Sequence, residues 1–129
     1  MPYYRVREAA ELLGVSDDTV RRWIDSHRLP AHRDGNGPAV VDGADLAVVA
    51  TQLRDAPEPG TTPSSARNRL AGIVTRVLRD TVMAQVEIQA GPFRLVSLMS
   101  REAADELGLD VGVRAVATVK ATQVSVDVP

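Results

Sequence analysis

Between Arg54 and Ser64 the chain reads Arg-Asp-Ala-Pro-Glu-Pro-Gly-Thr-Thr-Pro-Ser, with three prolines, one glycine and no large apolar residue. Such a stretch has nothing to bury, and each proline fixes φ and removes a backbone donor. It is expected to be an extended spacer. It divides 129 residues into two short pieces, each of which must close a small core of its own. The expected organisation is a module over 1–55, a linker over 56–64 and a second module over 65–129.

Composition removes several function classes. The chain has no cysteine, which excludes disulfides, thiol catalysis and Cys-ligated metal sites. With two histidines and four aromatic residues, neither a transition-metal site nor a base-stacking platform is expected. The start, Met1-Pro2-Tyr3-Tyr4-Arg5, has no apolar leader core, and no run of about 18 apolar residues exists to span a membrane. A cytoplasmic protein without a membrane partner is the expectation. Net charge is −2, and neither half is basic overall. Any contact with nucleic acid must come from a local patch. Of the 15 basic residues only Lys120 is a lysine.

In the front piece, apolar Val6, Ala9, Ala10 and Leu13 share one helical face, and Gly14 is a C-terminal stop. Ser16 reads as an N-cap, with Asp17 and Asp18 in the first turn where the helix dipole favours them. A second helix is expected from Asp17 to His27, with Val20, Trp23 and Ile24 inward. Two short helices joined by a tight turn make a helix-turn-helix pattern. Thr19, Arg21 and Arg22 lie off the apolar face. The segment Arg21–Arg33 holds four arginines, two histidines and one aspartate, the local basic patch. Asp34-Gly35-Asn36-Gly37 is a tight-turn signal. With its flanks it is expected to form a short hairpin, or wing. Asp42–Leu53 returns to helical spacing, with Leu46, Val49, Ala50 and Leu53 on one face.

Ala9-Ala10-Glu11-Leu12-Leu13-Gly14-Val15-Ser16, Thr19-Val20-Arg21-Arg22-Trp23 and Asp45-Leu46 together resemble the MerR-type, excisionase-like winged helix-turn-helix family. The resemblance implies a helix from Ser16 to His27 in the major groove of double-stranded DNA. It makes Ser16, Asp17, Thr19, Arg21 and Arg22 the base-side candidates and assigns Arg28 and Arg33 to phosphates. One departure is plain: Gly37 is followed by Pro38-Ala39-Val40, where the family carries basic residues.

The back piece alternates. Positions 82, 84, 86 and 88 are apolar against Gln85, Glu87 and Gln89, and 113 to 121 repeats the pattern. Leu70–Leu78 and Phe93–Met99 also read as strands. Arg101–Leu107 reads as a short helix capped by Ser100 and stopped by Gly108. About five strands and one helix in some 65 residues predict a small OB-like, five-stranded Greek-key barrel. The whole chain is thus α+β, a mainly helical module followed by a β-barrel. At the two ends of that barrel stand Ser65 and Arg67, and Lys120 and Ala121. Hydroxyls, a guanidinium fork, an ammonium and a backbone N–H are what a buried oxyanion requires.

Ser65-Ala66-Arg67-Asn68-Arg69-Leu70-Ala71-Gly72, the strand Val82-Met83-Ala84-Gln85-Val86, Glu106-Leu107-Gly108-Leu109, the Gly112 turn and Val119-Lys120-Ala121-Thr122 resemble the molbindin (Mop/TOBE) domain. This implies molybdate or tungstate as ligand, molybdenum being bound only as its oxyanion. It implies a homodimer or homohexamer formed through the C-terminal domain, with Ser65 and Arg67 from one subunit and Ser100, Lys120 and the Ala121 amide from its neighbour. Two departures stand out. Asp80 occupies a position where the family often has a glycine, and a serine of the anion shell in related domains falls on Ala103. No catalytic constellation is present, so an enzyme is not expected. The resemblances imply a molybdate- or tungstate-responsive transcriptional regulator of molybdenum homeostasis. The alternative is an intracellular oxyanion buffer whose front module serves protein interaction.

Overall fold

The computed structural model describes residues 2–33, 35–53 and 63–129. The chain divides into two compact units, residues 1–61 and 62–129. Most of the expected linker, and Asp34 of the expected turn, lie outside the described residues.

The first unit begins with a strand that has no periodicity to announce it. Tyr3–Arg5 (β1) pairs antiparallel with Val40–Asp42 (β2), Tyr4 opposite Val41. Helix α1, Val6–Leu13, follows directly and ends at Gly14, whose φ of 66° sits in the left-handed region that glycine enters without strain. Helix α2, Asp17–Asp25, starts where Ser16 accepts a hydrogen bond from the Thr19 amide at 3.1 Å. It is shorter than expected. His27 takes a φ of 61°, the only left-handed non-glycine among the described residues, and turns the chain out of the helix. Leu29 then returns to full burial. Helix α3, Gly43–Gln52, is capped by Asp42, which accepts from the Ala44 amide at 2.8 Å.

These elements enclose one core of Ala9, Ala10, Val20, Trp23, Leu29, Val41, Leu46 and Val49. Trp23 is therefore core, as its helical position predicts. The wing is reduced. Among the described residues the expected hairpin is held by one antiparallel bridge, between His32 and Val40, and the strand that begins there pairs on its other edge with β1. Pro38 offers no amide for a longer ladder.

In the second unit Asn68–Arg79 (β3), Met83–Ala90 (β4) and Phe93–Ser100 (β5) form consecutive antiparallel strands. Helix α4, Arg101–Glu106, lies in the return connection, and Arg114–Val119 (β6) comes back to the far side of β3. The order β5-β4-β3-β6 is a Greek key. Five strands were expected and the described residues form four. The longest, β3, does double duty. It pairs with β6 over 68–73 and with β4 over 73–79, and the register shifts by a bulge between Val74 and Arg76. Such a bulge bends a strand and increases its twist, which curls the sheet.

Gly72 sits at the tightest point of that bend. A Cβ placed there would stand 2.3 Å from the Gln89 carbonyl oxygen, so any other residue forces the backbone of the two strands to shift. The inner face carries Val74, Val86, Ile88 and Leu109 as its buried centre. Between the unpaired edges of β5 and β6 the curl leaves a cavity of about 470 Å³ lined by Leu95, Met99, Val113, Ala115 and Ala117 among others.

Asp80 keeps the turn after β3 in an unexpected way. Its φ is not left-handed. Its carboxylate accepts the amides of Val82 at 2.8 Å and Met83 at 2.7 Å, which stands in for the conformational freedom of a glycine.

Candidate functional site

Asn68 and Val119 are the last paired residues of β3 and β6. Asn68 Nδ2 also donates to the Val119 carbonyl at 2.9 Å, closing this end of the sheet. One step beyond that pair stand Arg67 on one strand and Lys120 on the other. Ala121–Gln123 then forms a 3₁₀ turn, in which the Gln123 amide donates to the Lys120 carbonyl at 2.9 Å. The first amide of such a turn has no partner within it, and here that amide is Ala121. On the other side, Ser64 Oγ accepts from the Ala66 amide at 3.1 Å, and Arg67 Nη1 donates to the Ser64 carbonyl at 3.3 Å. The segment carrying Ser65 is folded back toward Arg67 by these two bonds.

Part of this unit's positive charge is taken up in ion pairs. Arg79 is engaged by Asp105 and Asp110, Arg94 by Glu87, and Arg101 by Asp105. Among the described residues neither Arg67 nor Lys120 is in an ion pair. Both are exposed. The register thus brings two cations that are in no ion pair to one end of the sheet, next to the first amide of the 3₁₀ turn.

Ser100 is not part of it within one chain. It ends β5 opposite Met83, beside the Arg79 end of β3. A straight 12-residue strand is roughly 36 Å long, so even a curled β3 keeps Ser100 well away from Arg67. Its Oγ caps α4, accepting the Ala103 amide at 3.1 Å. Lys120 and Ala121 share an end of the sheet with Arg67 of the same chain, and Ser100 is the residue set apart. The cause is the Greek-key return, which lays β6 antiparallel beside the first half of β3. Asn68, which joins the two halves, has no feature in the sequence that marks it for this role.

In the first unit the base-side candidates are gathered on α2. Ser16 and Thr19 share a hydrogen bond at 2.9 Å between their hydroxyls, and Arg22 Nη2 donates to Thr19 Oγ1 at 3.3 Å. Arg21 reaches Asp18 at 3.3 Å and Asp17 at 3.9 Å. Arg33 is exposed beyond the helix. Arg28 is drawn elsewhere. Its guanidinium lies 5.5 Å from the Trp23 ring centroid and donates twice to Gln52 Oε1, at 3.1 and 2.9 Å. That geometry ties the segment after α2 to α3 and leaves the Nη1 donors of Arg28 for other partners. Asp18, absent from the sequence-level candidates, belongs to the α2 group by contact.

Among the described residues no cluster of three His, Cys, Asp or Glu side chains fits a metal ion, and no helix is long and apolar enough to cross a membrane.

A helix-turn-helix domain model matches residues 3–54, and a TOBE domain model matches residues 64–126. Over 63 residues the chain is 36% identical to molybdenum-pterin-binding protein 2 of Clostridium pasteurianum, covering 48% of this chain and 93% of that protein. Two solved structures align with the same half. A molybdate-binding protein from Sporomusa ovata shares 31% identity over 50% of this chain and 97% of its own, with a TM-score of 0.49. MopII from Clostridium pasteurianum shares 34% identity over 51% of this chain and 100% of its own, with a TM-score of 0.48.

Proposed function

Since this chain belongs to the TOBE-domain family of molybdenum-pterin-binding protein 2, with a helix-turn-helix domain in front, we propose that it is a molybdate- or tungstate-responsive transcriptional regulator of molybdenum homeostasis. The observation that carries the ligand half is the adjacency of Arg67 and Lys120 across the last pair of β3 and β6. A tetrahedral dianion leaving water needs several donors and compensating positive charge. Arg67 supplies a fork, Lys120 a point charge, Ser65 a hydroxyl and Ala121 a backbone N–H. Ser100 completes the shell from a second copy, with its hydroxyl proton still available after capping α4.

The assembly is a homo-oligomer formed through the second unit. Two features support it. The β5 and β6 edges are unpaired and flank an apolar cavity. Beyond the 3₁₀ turn, Val124, Val126 and Val128 alternate with polar residues and are 47, 83 and 89% exposed, the pattern of a strand whose partner lies on another copy. An anion held between copies fixes their pairing. It thereby favours two reader helices on half-sites about one turn of DNA apart.

Isothermal calorimetry with molybdate tests the ligand half. Arg67→Ala combined with Lys120→Ala abolishes the binding heat on this reading, and an unchanged heat sinks the site. A gel shift with DNA flanking the gene, with and without molybdate, tests the reader. The acid-rich surface of α2, with Asp17, Asp18 and Asp25 against Arg21 and Arg22, keeps the oxyanion-buffer reading in play. No shift at low salt in either condition favours it.

A further inference from the structure

Both arginines of α2 are turned back onto the first turn of their own helix. Arg21 is held by Asp18 and Asp17, and Arg22 by Thr19, which is bonded in turn to the capping Ser16. Between Asp17 and Asp25 the helix carries three carboxylates and two guanidiniums. A surface of that composition repels a phosphate backbone, where a non-specific binder would be basic. Exposed ion pairs of this kind add little to the stability of a helix, so fold stability is a weak reason for the arrangement.

The direction of the side chains gives another. A guanidinium drawn to positions three and four residues earlier points at the N-terminal end of the helix, the end that meets base edges in helix-turn-helix docking. Asp18 is 92% exposed, free to leave Arg21. In the major groove, guanine offers O6 and N7 to an arginine fork, and cytosine offers its N4 amine to a carboxylate. No phosphate can satisfy both members of an Asp–Arg pair, whereas a G·C-containing step can.

We propose that Asp18 and Arg21 together are the specificity-determining pair of the reader helix: Arg21 takes guanine O6 and N7, Asp18 accepts from a neighbouring cytosine N4, and the acidic first turn suppresses binding to backbone alone. Asp17 positions Arg21. This rests on the DNA-reading assignment of the first unit.

The test uses the full chain, with and without molybdate, and a randomised duplex pool. The wild-type protein selects sequences with a fixed G·C pair at one position of each half-site, and Asp18→Asn leaves that position degenerate. The affinity ratio of the selected duplex to a shuffled duplex of the same composition falls on the order of tenfold in Asp18→Asn, the worth of one base contact. Much of the fall comes from tighter binding to the shuffled duplex, with a salt slope steeper by about one. Arg21→Gln removes the fork that takes guanine O6 and N7 and loses the guanine preference. If the acids serve only the helix dipole, Asp18→Asn lowers the melting temperature and selects the wild-type sequence at the wild-type ratio. That result overturns the pair while leaving the DNA reading intact. A wild-type protein that selects no sequence in either ligand state overturns the DNA reading, and the pair with it.

Discussion

Asn68 donates its side-chain amide to the Val119 carbonyl across 51 positions of sequence, and this bond holds shut the end of the strand pairing from which Arg67 and Lys120 extend. Asn68→Ala removes the tie without touching either cation. The expected stability loss is about 0.5–1.5 kcal/mol. The expected loss of molybdate affinity is larger in consequence, on the order of tenfold, because two donors that must converge on one anion are no longer held together. Calorimetry and thermal melting on the same sample separate the two effects. An affinity unchanged within error means that Arg67 and Lys120 do not act on one ligand.

Gly72→Ala is expected to destabilise the second unit by about 1–3 kcal/mol or more, since the new Cβ meets the Gln89 carbonyl and the backbone of β3 or β4 must move. Ala71→Ser, one residue away on an exposed position, is the control and is expected to be near neutral. Urea unfolding followed by circular dichroism reads both. Equal midpoints would mean that the approach of the two strands is not as close as described.

Asp80 links stability to pH. Its carboxylate is held below the ordinary carboxylate range, first by the Met83 amide and then by the Val82 amide, with Arg101 adding in the same direction. Because the folded pKa lies below the unfolded one, the stabilisation is complete above the unfolded value of about 3.8 and is lost as pH falls through the folded value. Wild-type and Asp80→Asn proteins are therefore expected to melt apart at neutral pH and to converge in acid. A gap that persists undiminished well below pH 3.8 would show that the charge is irrelevant to the turn.

Removal of residues 124–129 deletes the alternating valines and leaves every described strand intact. Light scattering is expected to report a monomer for the truncated chain and an oligomer for the full one. Molybdate binding is expected to weaken, since Ser100 then has no second copy from which to reach the anion. A truncated chain of full-length mass would remove the tail from the interface.

The legible parts of the fold were those with a period or a cap. Val6, Ala9, Ala10 and Leu13 announced α1, Ser16 announced the start of α2, and alternation announced β4 and β6. What escaped had neither signal. A three-residue strand such as Tyr3–Arg5 is too short to alternate, and His27 leaves its helix through a backbone conformation that its residue type does not advertise. The strand after Gly35 pairs on its other edge with β1, a long-range partner that one segment read alone does not reveal. The candidate site was legible as residue types, Arg67 and Lys120 above all. Its geometry was not, because strand register is a property of pairs. Register is what puts those two cations side by side and leaves Ser100 at the other end of β3.

The return of β6 to the first half of β3 has a metabolic consequence. The two cations come from opposite ends of the second unit's sequence and meet only when its last strand has joined the sheet. A ligand that binds there binds the finished fold and not the open chain, so it adds RT ln(1 + [L]/Kd) to the stability of that unit. Scarcity of the oxyanion then shortens the life of the protein by exposing it to proteases, while abundance preserves it. On the proposed function, the cell would read its molybdenum supply twice, once as occupancy of the regulator and once as how much regulator survives.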